Sequence, residues 1–283
     1  MSVFRRRALP TPRLVVGLVV LGAACHRQPT VKSAPPPAAS PSPSTKGPAA
    51  APPATTTAIN SASSLVRSMR DRYAATYYRN VAFVQKTIVT LTSGGEFVQT
   101  WNVAGDLPGR WRIDTDPASK AGLLYLGDSL YQFAAGKLAK ADTGTNELLL
   151  LAFDVYAQSP TRSEATLRRL GFDVARFHES TWHAVPIYVI GAARGDTTSK
   201  QIWIERDRLL PLRLLENSRQ GRSDFRFGGY DRTTGGWVAT EIELFVNGKR
   251  RSLQQLTQVR TNTSMPDALF DPRRWAVAPR WTP

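Results

Sequence analysis

Cysteine is nearly absent from this chain: its 283 residues include one, Cys25. A lone thiol excludes an intrachain disulfide and any zinc centre built on thiolates. Histidine is scarce too, with His26, His178 and His183 the full set. A zinc-protease helix needs two histidines four apart on one face. His178 and His183 stand five apart in a strand-like stretch, so no metal site and no cofactor are expected. Neither G-x-S-x-G nor G-x-x-x-x-G-K-[ST] occurs, which removes the central parts of hydrolase and nucleotide-enzyme readings. Asp106, Asp114, Asp116 and Asp128 read as turn and strand-end residues rather than paired catalytic acids. The expectation is a protein that is not an enzyme.

Acidic residues are missing from one end. Residues 1–62 hold seven basic side chains (Arg5, Arg6, Arg7, Arg13, Arg27, Lys32, Lys46) and no Asp or Glu, so the formal net charge of +15 overstates the remainder, which carries +8. That remainder is not clustered into basic stripes interleaved with aromatics, and no nucleic-acid partner is expected. Long apolar runs are missing as well: residues 14–24 form an uninterrupted run of eleven, against the ~20 needed to span a bilayer, and the mean hydropathy is −0.27.

What is present begins with a four-arginine lead, residues 1–13, running into that apolar segment and then into Cys25, preceded by Gly22, Ala23 and Ala24. This is a secretory signal pattern, and its end resembles a bacterial lipobox, with Gly22 where leucine is usual and Leu21 one place earlier. The resemblance implies cleavage before Cys25 and acylation of that cysteine by diacylglycerol and a fatty acid such as palmitate. Residues 1–24 are thus expected as signal peptide. His26, rather than Asp, follows the cysteine, which implies the periplasmic face of the outer membrane in a Gram-negative bacterium. Each buried methylene contributes ~0.8 kcal/mol, and several acyl chains together hold a soluble domain on a bilayer. Residues 25–62 comprise the lipidated cysteine and a segment of mostly Pro, Ala, Ser and Thr that buries too little to fold. As an extended tether of ~3.1 Å per residue, it reaches on the order of 100 Å.

The folded domain is expected over residues 63–283. Asn60 and Ser61 offer an N-cap to a helix with Leu65, Met69, Tyr73 and Tyr77 at steps of four. Period-two segments separated by turn signals follow, reading as antiparallel hairpins. The run TNELLLLAFDVYA is too continuously apolar for a one-sided strand and reads as a buried helix capped by Thr145 or Asn146. A short helix ending at Gly171 comes next, and strands then resume to residue 261. The fold class is α+β: a curved antiparallel sheet of about eleven strands forming an open half-barrel, with helices covering the concave side.

The order of elements resembles the LolA/LolB lipoprotein-carrier superfamily over residues 65–272. The supporting phrases are Phe83 and Gln85 after the opening helix, WNVAGDLPGRWRID, the hairpin at Gly127-Asp128, QIWIERDRLLPLRL, and Asn262 followed by PDALF. The resemblance implies a half-barrel whose cavity takes acyl chains of lipids or lipoproteins, without catalysis. Carriers of that family place a gating arginine directly before the proline of the second phrase; here that place is held by Leu107, with Arg110 and Arg112 nearby. Candidate lining residues are Phe97, Trp101, Trp111, Ile113, Leu124, Tyr131, Phe133, Ile187, Val189, Ile202, Ile204, Leu212 and Leu214. Expected partners are acyl chains and, through the Cys25 anchor, the outer membrane; a periplasmic or inner-membrane protein partner is left open. The alternative reading is a periplasmic sensor or a structural envelope lipoprotein using the same fold without transport.

Overall fold

The structure, a computed structural model, describes residues 58–282. The expected signal peptide, Cys25 and nearly all of the tether lie outside the described residues. Ser61 caps helix α1 (Ala62–Tyr73) in a capping box: its hydroxyl accepts from the Ser64 N–H, and the Ser64 hydroxyl accepts from the Ser61 N–H. Leu65, Val66 and Met69 are fully buried on its inner face. The helix stops at Tyr73, so Tyr77 lies beyond it, yet the two rings remain 6.2 Å apart.

Six strands follow as a meander: β1 (Asn80–Thr90), β2 (Glu96–Asp106), β3 (Arg110–Asp116), β4 (Ala121–Leu126), β5 (Ser129–Ala134) and β6 (Lys137–Thr143). The chain then turns helical. Asn146 accepts the Leu148 and Leu149 N–H groups to start α2 (Glu147–Leu149), a π-helical turn (Leu150–Asp154) widens the coil, and α3 (Val155–Ala157) closes it. Helix α4 (Pro160–Arg169) has Ser159 as N-cap and Pro160 in its first turn, where the missing N–H costs nothing. A second meander comprises β7 (Phe177–Trp182), β8 (Val185–Ile190), β9 (Gln201–Glu205), β10 (Pro211–Ser218), β11 (Gly221–Thr233), β12 (Gly236–Val246) and β13 (Lys249–Thr261). Two 3-10 turns, Asp267–Phe270 and Pro272–Arg274, follow.

All strands join one antiparallel sheet in the order β6-β5-β4-β3-β2-β1-β13-β12-β11-β10-β9-β8-β7. The strands number thirteen rather than about eleven; the KLAKA stretch is a full edge strand. First and last strands meet at the centre, and β6 and β7, consecutive in sequence, form the two free edges. The sheet is therefore open, a curved half-barrel with the helical passage between β6 and β7 on its concave side. Among the described residues no helix is long and apolar enough to cross a membrane.

Candidate functional site

Directly opposed residues of an antiparallel pair point to the same face, so the register assigns every strand. One row of partners runs Phe177, Ile190, Ile202, Leu214, Phe225, Leu244, Ser252, Val89, Phe97 across nine strands. Two residues at a time along β1, Val89 leads to Phe83, whose ring lies 5.9 Å from Phe153 of the π-helical turn. The row therefore lies on the concave face, the same face that the helices cover at Phe83.

Of the thirteen candidate lining residues, seven stand on this face. Phe97 and Trp101 on β2 are half-buried; Trp111 and Ile113 on β3, Ile202 and Ile204 on β9 and Leu214 on β10 are buried. The other six point the opposite way. Leu124 pairs with Arg112, Tyr131 with Leu124, and Phe133 with Gly122; together they pack on Leu269, Phe270 and Trp275 of the C-terminal segment. Ile187 and Val189 form a second convex-face cluster with Ala192, Trp182, Trp203 and Leu212. The physical reason is that strands such as AGLLYL are apolar at both parities. The convex face also carries buried apolar clusters, one of them under the C-terminal segment, so apolarity alone does not mark the concave one.

Three ties, two of them polar, hold the helical passage in place. At the first, the Asp154 carboxylate accepts the Gly109 N–H at 3.0 Å and the Trp111 Nε1–H at 3.1 Å. Gly109 belongs to the β2–β3 turn that also contains Leu107, whose peptide bond to Pro108 is cis. Burial pushes the Asp154 carboxyl up to about 6. The Trp111 indole lies across Gly105 of β2, where a Cβ would run into the ring, so glycine is required for this close approach. Trp111 also meets Phe153 at 5.0 Å between centroids.

At the second tie, Glu147 and Glu216 share one ammonium: Lys200 Nζ lies 2.6 Å from Glu147 and 2.9 Å from Glu216. Burial raises the Glu147 carboxyl to about 7, Lys200 opposing and Glu216 reinforcing the shift. The outer oxygens, Glu147 Oε2 and Glu216 Oε1, are buried without a hydrogen-bond partner among the described residues. The third tie is aromatic. Tyr156 of α3 packs on Tyr73 and Tyr77 with centroids 5.3 Å away in both cases, and its hydroxyl donates to the Leu209 carbonyl at 2.9 Å. The Tyr73 hydroxyl donates to the Arg208 carbonyl at 2.6 Å. Burial holds both phenols above their ordinary range.

Between the first tie and the start of α2 lies a crevice of about 210 Å³, open to solvent and lined by Gly109, Trp111, Tyr125, Gly127, Thr145, Asn146, Leu149 and Asp154. Its inner part has room for about one water molecule. Away from the helices the concave face continues through Phe97, Gln99 and Trp101, all half-buried, beside Gln85 and Thr87. The Trp101 Nε1–H is buried without a partner among the described residues.

Sequence reasoning missed the roles of Asp154, Glu147, Lys200 and Glu216, whose partners lie 16 to 53 residues away; Asp154 inside an apolar run was the one local signal. It also missed a buried ion pair on the convex face. Arg112 holds Asp114 through two bonds of 2.9 and 3.1 Å, donates to the Leu269 and Trp275 carbonyls, and lies 4.0 Å from the Trp275 ring centroid. Asp106 pairs with Arg110 at the end of β2, Asp116 caps the β3–β4 turn and Asp128 sits in the β4–β5 turn. His178 lies in β7 opposite Val189, and His183 occupies the following turn at a positive φ of 48°.

A thirteen-stranded open sheet with an apolar, partly helix-covered concave face is a half-barrel fold shared with proteins of solved structure. Among solved structures, a DUF1329 family protein from Desulfovibrio piger matches with a TM-score of 0.50 at 14% identity, covering 74% of this chain and 95% of that one. An outer membrane lipoprotein-sorting protein domain from Vibrio parahaemolyticus matches with a TM-score of 0.51 at 9% identity, covering 76% and 97%. A LolA superfamily protein from Nitrosomonas europaea is similar at a TM-score of 0.48 and 15% identity, covering 75% and 98%. At these identities the likeness is one of fold. No family model matches the sequence, and no curated protein matches it.

Proposed function

We propose that this chain is an outer-membrane lipoprotein, anchored by acylation of Cys25, whose concave face takes the acyl chains of lipids or lipoproteins in lipoprotein sorting, without catalysis. The observation that carries the reading is the paired row from Phe177 to Phe97, apolar at eight of nine positions and on the face that a helical passage partly covers through few polar ties. Releasing an acyl chain into water costs ~0.8 kcal/mol per methylene, so a carrier must offer a comparably dry surface. Phe97, Trp101, Trp111, Ile113, Ile202, Ile204 and Leu214 supply it in this reading. The inner part of the crevice beside Asp154 has room for about one water and takes no acyl chain as it stands, so in this reading the chain is taken up as the passage lifts from the sheet. Phe97 and Trp101 mark the half-buried end at which a chain enters, and the Trp101 indole N–H donates to the ester or amide carbonyl at its head.

The test is native mass spectrometry of the full chain extracted from membranes, together with titration of the Cys25→Ser chain by a fluorescent fatty acid. The expected result is a co-purifying lipid mass, saturable probe binding, and at least a tenfold loss of affinity in Trp101→Glu. A fatty-acid label should enter the wild type and be absent from Cys25→Ser. An apo mass alone with no probe binding would overturn the carrier reading; equal labelling would overturn the anchor.

A further inference from the structure

Helices α1 and α4 together hold six arginines (Arg67, Arg70, Arg72, Arg162, Arg168, Arg169), no lysine, and two carboxylates, Asp71 and Glu164. On α1 the buried positions are Ala62, Leu65, Val66 and Met69, which leaves Ser63, Arg67 and Arg70 along the outer stripe at steps of four and three. On α4 the buried positions are Ser163, Thr166 and Leu167, and Arg162, Arg168 and Arg169 are exposed. The Ser63 hydroxyl donates to Glu164, joining the two outer stripes. Glu164 is also taken by Arg168 at 2.6 Å, and Arg169 reaches Asp128 at 2.6 Å. Arg67 and Arg70 have no ion-pair partner among the described residues. Some ninety residues separate the two helices in sequence, so the charge reads as scattered there and becomes one patch only when the helices pack.

We infer that this outer face of the α1–α4 pair docks on anionic lipid headgroups, setting the domain on a bilayer with its helical side down. Charge complementarity carries the inference, since a guanidinium takes phosphate oxygens two at a time and stays ionised at any physiological pH. The composition of the stripe selects the occupant. A protein partner would need an apolar or aromatic centre to exclude water, and the exposed positions of both helices are Ser63, Arg67, Asp71, Arg72, Thr161, Arg162, Ala165, Arg168 and Arg169, with Arg70 half-buried at their edge. Single-stranded nucleic acid would need stacking rings, and these outward positions carry none. A headgroup surface needs only charge. The inference does not depend on acyl binding: it concerns the opposite side of the helices from the concave face.

The test is sedimentation of the full chain carrying Cys25→Ser with vesicles of phosphatidylcholine alone or mixed with phosphatidylglycerol. The basic amino-terminal lead is common to every variant, so differences report the helices. The parent should prefer the mixed vesicles, and the preference should shrink with added salt. At ~1 kcal/mol per basic residue near an anionic surface, Arg67→Gln with Arg70→Gln should weaken binding about 25-fold. Arg67→Lys with Arg70→Lys should stay within a few-fold of the parent, which separates charge from helix damage. Equal binding of the Gln variant and the parent would overturn the inference. So would equal affinity of the parent for neutral vesicles, or capture of acidic polypeptides without vesicle binding.

Discussion

Asp154 gives the sharpest pH test. Its carboxyl is pushed from the ordinary 3.8 up to about 6 because it is buried, even though Gly109 and Trp111 donate to it. The folded protein therefore holds this proton more tightly than the unfolded chain does. Between pH 4 and pH 6 the native state binds more protons, so stability must fall as pH rises and level off above ~6.5. A displacement of ~2 pKa units corresponds to roughly 3 kcal/mol. At ~2–4 °C per kcal/mol for a domain of this size, that amounts to about 6–12 °C in Tm. Glu147, raised to about 7, adds a decline of the same sign over an overlapping range. Asp116, Asp224 and Asp271, whose carboxyls are lowered, lose their contribution only as pH falls below ~4. The measurement is therefore a difference: calorimetric Tm against pH for wild type and Asp154→Asn. The variant should lack about 3 kcal/mol of the decline between pH 4 and 6.5, whatever its constant offset. Parallel profiles across that range would refute the reasoning.

Two further outcomes follow from close packing. Gly105→Val places a branched side chain where the Trp111 ring lies; a loss of ~1–3 kcal/mol in urea unfolding is expected, as for other overpacked cores, and an unchanged midpoint would show that the indole can relocate freely. Arg112→Ala strands the buried Asp114 carboxylate with only Arg280 nearby, at 3.6 Å, and removes two bonds to the C-terminal segment. It should cost ~3–5 kcal/mol and speed tryptic cleavage at Arg273 and Arg274, while Arg112→Met with Asp114→Leu should recover most of the stability.

Period-two alternation and Gly-rich turns made most strands legible, and Ser61, Asn146 and Gly171 announced the helix ends. The count of about eleven fell short of thirteen; at the rim, every residue of β6 is exposed, which leaves no one-sided apolar pattern to read. Which face of each strand meets the helices was not legible. In β4, Leu123 and Leu124 are equally apolar neighbours, and only pairing with Ile113 or Arg112 decides between them. The same limit sent Leu124, Tyr131, Phe133, Ile187, Val189 and Leu212 to the convex side. The π-helical turn left no trace either, since widening a coil by one residue preserves its composition. Asp154 and Lys200 acquire meaning only through partners far along the chain, which no local pattern encodes.

The passage from β6 to β7 runs from one rim of the sheet to the other, like a string across a bow. Both of its ends are covalently fixed to the edges it spans. In the proposed reading, lifting it pulls on both rims, so shedding the cover would be coupled to the bend of the sheet. A substitution that stiffens the sheet far from Asp154, at the central β1–β13 seam for instance, would thereby slow the release of that cover.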